Sequence, residues 1–114
     1  MEAGRFELES APFHFRELLD DSFRSLALQA AEKNLELLAD VAPDVPDQLV
    51  GDAHRLRQVI VNLIGNGIKF TPAGEVCLEV EVASRTSDEI VLHFAVSDTG
   101  IGISAEDQQR LFAP

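Results

Sequence analysis

Two constellations in this sequence carry side chains able to do chemistry. The first is a stripe. After Asp52, the apolar residues Leu56, Val59, Ile60, Leu63, Ile64 and Ile68 recur at helical spacing. At about 100° per residue, Arg55, Gln58, Asn62, Asn66 and Lys69 then fall on one narrow line away from Leu63. A polar stripe is ordinarily the solvated face of a helix. Here, however, two Asn residues, poor formers of helix interiors, stand four apart with Gly65 and Gly67 beside them. Each interior glycine costs a helix about 0.8–1 kcal/mol relative to alanine. A surface helix gains nothing from that combination, whereas a helix approached by a ligand does. Amide carbonyl oxygens suit a hard Mg²⁺ ion, and the Lys69 ammonium suits phosphate charge.

The second constellation is Asp98-Thr99-Gly100-Ile101-Gly102-Ile103. A strand delivers Asp98 to its end, where a fixed carboxylate can accept a hydrogen bond from an exocyclic amino group. The two glycines let backbone pass close to a flat ring. The plain alternative is a glycine-rich turn that leads into a helix, with Ser104 as its N-cap and Asp107 completing a loose capping box.

Other elements must hold these two groups in place. Between Arg16 and Lys33, the residues Leu19, Phe23, Leu26, Ala27, Ala30 and Ala31 mark a first amphipathic helix, closed by Asn34. Leu35–Val41 reads as a strand ended by Pro43 and Pro46, and Phe6–Ser10 as a further short strand. The second helix starts at an Asp52 N-cap and stops before Pro72, which pushes Thr71 out of the helical region. Glu75–Ala83 alternates strictly, with Val76, Leu78, Val80 and Val82 on one face. A polar loop over Ser84–Asp88 returns the chain into Glu89–Ser97, with Ile90, Leu92, Phe94 and Val96 inward. Helix, strand, helix and then a hairpin predict an α+β two-layer sandwich with both helices on one face of a mixed, mostly antiparallel sheet.

Composition narrows the function classes. The chain has 114 residues and a net charge of −11, which suits one small domain and disfavours nucleic acid as a general partner. Phosphate binding would need a local site. No apolar run approaches the roughly 20 residues that span a bilayer, and no secretory signal opens the chain. The single Cys77 cannot form an internal disulfide or a thiolate zinc cluster, which suits a cytoplasmic setting.

The two constellations together resemble a known family. Asn62-Leu63-Ile64-Gly65-Asn66-Gly67-Ile68-Lys69-Phe70-Thr71 is similar to the N box, and Asp98–Ile103 to the first glycine box, of the catalytic ATP-binding domain of sensor histidine kinases, the hybrid kinases in particular. Gly51-Asp52 with Arg55-Leu56-Arg57-Gln58-Val59 resembles the approach to the N box, and Leu111-Phe112-Ala113-Pro114 the start of the F box. The resemblance implies the Bergerat fold and the cofactors ATP and Mg²⁺. It implies that Asn66, with Asn62 beside it, holds Mg²⁺ bridging the phosphates, that Lys69 touches phosphate, and that Phe70 lines or stacks on adenine. Asp98 would accept from the adenine amino group, and Gly100, Gly102 and Ile103 would shape that pocket. ATP-hydrolysing relatives carry a Glu where Asn62 stands, and an amide cannot activate water as a general base. That implies phosphoryl transfer to a protein histidine, through positioning and charge neutralisation. The implied partners are a dimerisation domain bearing that histidine and, through the parent, a response regulator; the parent itself could be anchored in a membrane.

The sequence also departs from the family pattern. Gly67 stands where Ala is usual, which should loosen the helix. His14 stands where a capping Asp is frequent. His14, His54 and His93 all lack an acceptor motif and read as structural or surface residues. Met1–Ser10 reads as the tail of a preceding dimerisation helix or linker, and residues 11–114 as a partial catalytic domain that ends before the family's lid and closing strands. On that reading the Glu89–Ser97 strand keeps an open edge, which would favour a homo-oligomer through sheet-edge pairing. Two rival readings are a non-catalytic remnant of the fold serving dimerisation or partner docking, and a retroviral-type aspartic protease suggested by Asp98-Thr99-Gly100. The protease is disfavoured because so few residues follow that triplet.

Overall fold

The computed structural model describes residues 10–98 and 102–113, the side chains of 102–104 aside. The elements run β1 (Ala11–His14), α1 (Phe15–Glu32), β2 (Leu35–Val41), β3 (Gln48–Gly51), α2 (Ala53–Phe70), β4 (Gly74–Arg85), β5 (Glu89–Asp98) and β6 (Gly102–Phe112). The strands form one six-stranded sheet in the order β1-β3-β6-β5-β4-β2. All neighbours are antiparallel except β2 and β4, which run parallel from Leu35↔Gly74 to Val41↔Val80.

Both helices pack on one face of this sheet, as their patterning requires. Leu19, Leu26 and Ala30 of α1 and Leu56, Ile60, Ile64 and Ile68 of α2 share a core with Val76, Leu78, Val80, Leu92, Phe94 and Val96. At the centre Phe15 meets Phe94 with ring centroids 6.2 Å apart, tilted by 57°. The other face of β4 presents Glu75, Glu79 and Glu81 to solvent. No described helix is long and apolar enough to cross a membrane.

One alternative and one expectation change, and two strands are new. The segment after Asp98 forms no helix from Ser104. Its backbone instead runs as β6 alongside β5, from Asp98↔Gly102 to Glu89↔Phe112. The ladder satisfies backbone groups on the outer side of β5, and Leu111, 3 % exposed, enters the core; pairing has outweighed a local sequence poor in strand formers. As a result β5 lies between β4 and β6, so the open edge expected at Glu89–Ser97 is absent. The outer strands are β1 and β2. Finally, β1 and β3, four residues each, were not legible in the sequence. The strand expected at Phe6–Ser10 and the helix tail expected at Met1–Ser10 lie outside the described residues, except for Ser10, which belongs to no element.

Candidate functional site

The helix that carries the polar stripe is set at both ends. At its start the Asp52 carboxylate accepts the Arg55 backbone N–H at 3.0 Å. At its end Thr71 takes an extended conformation, and its N–H still donates to Gly67 O at 3.0 Å. Lys33, at the end of α1, donates from Nζ to the Ile68 and Lys69 carbonyls at 2.5 and 3.2 Å. An ammonium there complements the negative end of the helix dipole. With Leu56, Ile60, Ile64 and Ile68 buried, the stripe Arg55, Gln58, Asn62, Asn66 and Lys69 faces outward, and each of its five members is exposed. Asn62 also borders a groove of about 480 Å³ between the helices, together with His54, Arg57 and Gln58. Phe70 is 70 % exposed, with the Lys69 ammonium 5.5 Å from its ring centroid.

The two helix glycines differ in kind. Nothing stands within 4 Å of a Cβ added at Gly65, whereas one at Gly67 would lie 2.9 Å from Cγ1 of both Val76 and Val96. Gly67 is therefore where the helix backbone settles onto the sheet. A glycine here leaves room for the helix backbone to approach the sheet, whatever its cost in helix propensity. That approach brings the last turn of α2 down over the end of β5.

Asp98 stands there. It is 9 % exposed, and its backbone is paired on one side with Val76 and on the other with Gly102. Its Oδ2 accepts a hydrogen bond from Thr71 Oγ1 at 3.0 Å, and Thr71 is itself only 2 % exposed. Its Oδ1 is buried with no partner among the described residues. A buried acceptor without a donor costs about 1–3 kcal/mol, so an orphaned oxygen needs a reason. The geometry offers one, because Oδ1 is a ready acceptor for a ligand N–H. Of the other residues that the resemblance implies for adenine, Gly102 lies at the start of β6, while Gly100 and the Ile103 side chain are outside what is described.

Sequence reading missed Thr71, Lys33 and Asp47. Thr71 had one local signal, a hydroxyl immediately before the proline that ends the helix. Asp47 had none. Its Oδ1 accepts the Arg16 backbone N–H at 2.9 Å and its Oδ2 lies 3.0 Å from His14 Nδ1, so it caps α1 from a distant loop while His14, at the N-cap, makes no side-chain cap bond. The Arg16 N–H, and after it His14, hold the Asp47 carboxyl below its usual value of 3.8. Of the other two histidines, His54 lies exposed near the start of α2 beside the groove between the helices, and His93 sits on the outer sheet face between Glu81, at 3.8 Å, and Glu106, at 3.0 Å.

The fold is an α+β two-layer sandwich with an exposed polar stripe on α2 and, under the end of that helix, Asp98 with one carboxylate oxygen unpartnered among the described residues. Residues 51–114 match the family described as histidine kinase-, DNA gyrase B- and HSP90-like ATPase, and the chain belongs to that family. It is 44% identical over 112 residues to the signal transduction histidine-protein kinase BarA of Escherichia coli K12, covering 98% of this chain and 12% of that protein. Among solved structures, full-length ShkA in complex with AMPPNP is 30% identical with a TM-score of 0.66, over 85% of this chain and 20% of that one. The histidine kinase AdeS of Acinetobacter baumannii, 20% identical, shares the fold with a TM-score of 0.63 over 87% of this chain and 47% of that one. This chain thus spans about an eighth of the length of its relative BarA.

Proposed function

We propose that the chain is the ATP-binding catalytic domain of a two-component sensor histidine kinase, which in its parent passes the γ-phosphate of ATP to a histidine on a dimerisation domain and onward to a response regulator. The observation that carries the reading is the orphaned Oδ1 of buried Asp98, because adenine's exocyclic amino group is a donor of the kind that atom lacks. The AMPPNP held by the ShkA relative supports it. The stripe above supplies the rest. Lys69 meets phosphate charge, while Asn62 and Asn66 offer neutral carbonyl oxygens on one exposed face.

Two amides are too few to hold a bare Mg²⁺ ion, but they fit one that arrives on phosphate oxygens and keeps some of its waters. Such an ion, when bound, neutralises charge on the phosphates. The work of this chain's own residues is to bind and orient. Asp98 fixes the base, Phe70 stands exposed beside Lys69 where it can line the nucleotide, and no side chain at Asn62 is able to activate water. The parent's site lies on the cytoplasmic side in this reading.

Calorimetric titration with ATP, with and without Mg²⁺, is the test. Binding is expected to be weaker than the roughly 1 mM upper end of common KM values. Asp98→Asn should abolish it, because an amide can turn an N–H₂ toward the ligand's own donor, and Lys69→Ala should weaken it less. Binding unchanged by Asp98→Asn would refute the reading. Failure of ATP to bind at all would favour a non-catalytic docking module.

A further inference from the structure

We propose that Thr71 is the positioning residue that makes Asp98 selective, by engaging one carboxylate oxygen so that the other faces the ligand as a fixed acceptor. The inference rests on reading Asp98 as the base-recognition residue. A carboxylate only accepts hydrogen bonds, so an uncommitted aspartate at the end of a strand is free to swing either oxygen toward a ligand or a water. At Asp98 that freedom is removed. The Thr71 hydroxyl has one proton and spends it on Oδ2 at 3.0 Å, in a place where neither residue is more than 9 % exposed.

Thr71 is itself held from several sides. Its N–H is tied to Gly67 O, its backbone is extended ahead of Pro72, and its branched side chain has few rotamers. The backbone of Asp98 is pinned by pairing with Val76 and Gly102. Among the described residues Oδ1 is then the carboxylate oxygen left without a partner, and its direction is set by the Thr71 hydroxyl and the strand pairing. A purine bearing an amino group at that point donates to it. A purine bearing a keto oxygen there sets acceptor against acceptor and is rejected. If the hydroxyl is lost, the carboxylate can turn to lessen that clash, so the penalty on the keto purine falls along with affinity for the amino purine.

The test compares ADP with inosine diphosphate, in which a keto oxygen replaces the amino group and the adjacent N1 carries a proton, by NMR titration of the full chain. The parent should prefer ADP by about tenfold or more, as expected for one hydrogen bond to a charged group. Thr71→Val, which keeps the shape and removes the hydroxyl, should bring the two affinities to within about threefold, whereas Thr71→Ser should retain the preference to within about twofold. Should Thr71→Val not fold, Thr71→Cys, a weak donor of similar size, takes its place with the same expected loss. A folded Val or Cys variant that keeps the full preference overturns the proposal. So does a Ser variant that loses it, since the methyl group would then be what matters. A parent chain that does not distinguish the two nucleotides refutes the Asp98 reading first, and Thr71 with it.

Discussion

Gly67 and Gly65 stand two apart in the same helix, and the structure assigns them opposite responses to the same change. An alanine at either position gains about 0.8–1 kcal/mol of helix propensity. At Gly65 the added methyl enters open space, so Gly65→Ala should stabilise the fold by about that amount. At Gly67 the methyl arrives 2.9 Å from Val76 Cγ1 and Val96 Cγ1, both on buried, branched side chains with little room to rotate. Overpacking of this kind costs about 1–3 kcal/mol, so Gly67→Ala should range from neutral to about 2 kcal/mol destabilising. Urea denaturation of the two variants reads the difference, and each 1 kcal/mol should also appear as roughly 4 °C in Tm for a domain of this size. A third measurement locates the cause: in a Val76→Ala background, Gly67→Ala should become cheaper by about 0.5–3 kcal/mol. If Gly67→Ala stabilises as much as Gly65→Ala, the helix is not seated on Val76 and Val96, and the route by which Thr71 reaches Asp98 must be redrawn.

Three other outcomes are expected. Because the Asp47 carboxyl is held below its usual value in the folded state, its stabilisation is complete above the unfolded value of about 3.8 and is lost as pH falls through the folded one. Asp47→Ala should therefore be less stable than the parent at pH 7 and converge with it by about pH 2, in urea melts run across that range; a pH-independent difference would contradict the assignment. Lys33→Met should cost about 0.5–1 kcal/mol and speed amide exchange in the last turn of α2, with an unchanged exchange rate as the contrary result. Burial first, then Glu79, Asp40 and Glu75, push the Cys77 thiol above 9.0, so it should alkylate with iodoacetamide at pH 8 more slowly than free cysteine, and Glu79→Gln should accelerate it. A parent rate equal to that of free cysteine would count against that crowding of carboxylates.

What could be read from the chain in advance was what is written locally. Asp52 and Pro72 bound α2 because a cap and a helix-breaker act on their immediate neighbours, and the inward Val76, Leu78, Val80 and Val82 declare a half-covered strand by alternation alone. The stripe of Asn62, Asn66 and Lys69 followed from helix geometry. What escaped depends on partners distant in sequence. The four residues of β1 and of β3 are strands because they pair with each other, and Ala11-Pro12 carries no strand signal of its own. The backbone of β6 adopts its conformation because β5 offers a ladder, against the cap and turn residues within it. Thr71 and Asp98 are 27 positions apart, and they meet because α2, with Gly67 close against Val76 and Val96, packs on the sheet.

The cap on α1 bears on the order in which the molecule assembles. A helix whose first turn is closed by its own N-cap can nucleate as soon as that stretch of chain exists. Here the acceptor for the Arg16 N–H lies 31 residues downstream on Asp47, and the Phe15 N–H is taken by the carbonyl of the same residue at 2.7 Å. Until β2 and the loop after it have been laid down, the start of α1 has nothing to close it and should fray in a peptide spanning residues 10–34. The first helix in sequence is thus not expected to be the first to become firm. That role falls to α2, whose cap is three residues from the amide it serves, and α1 should consolidate late, with its N-terminal turn among the low-φ positions of the folding transition state.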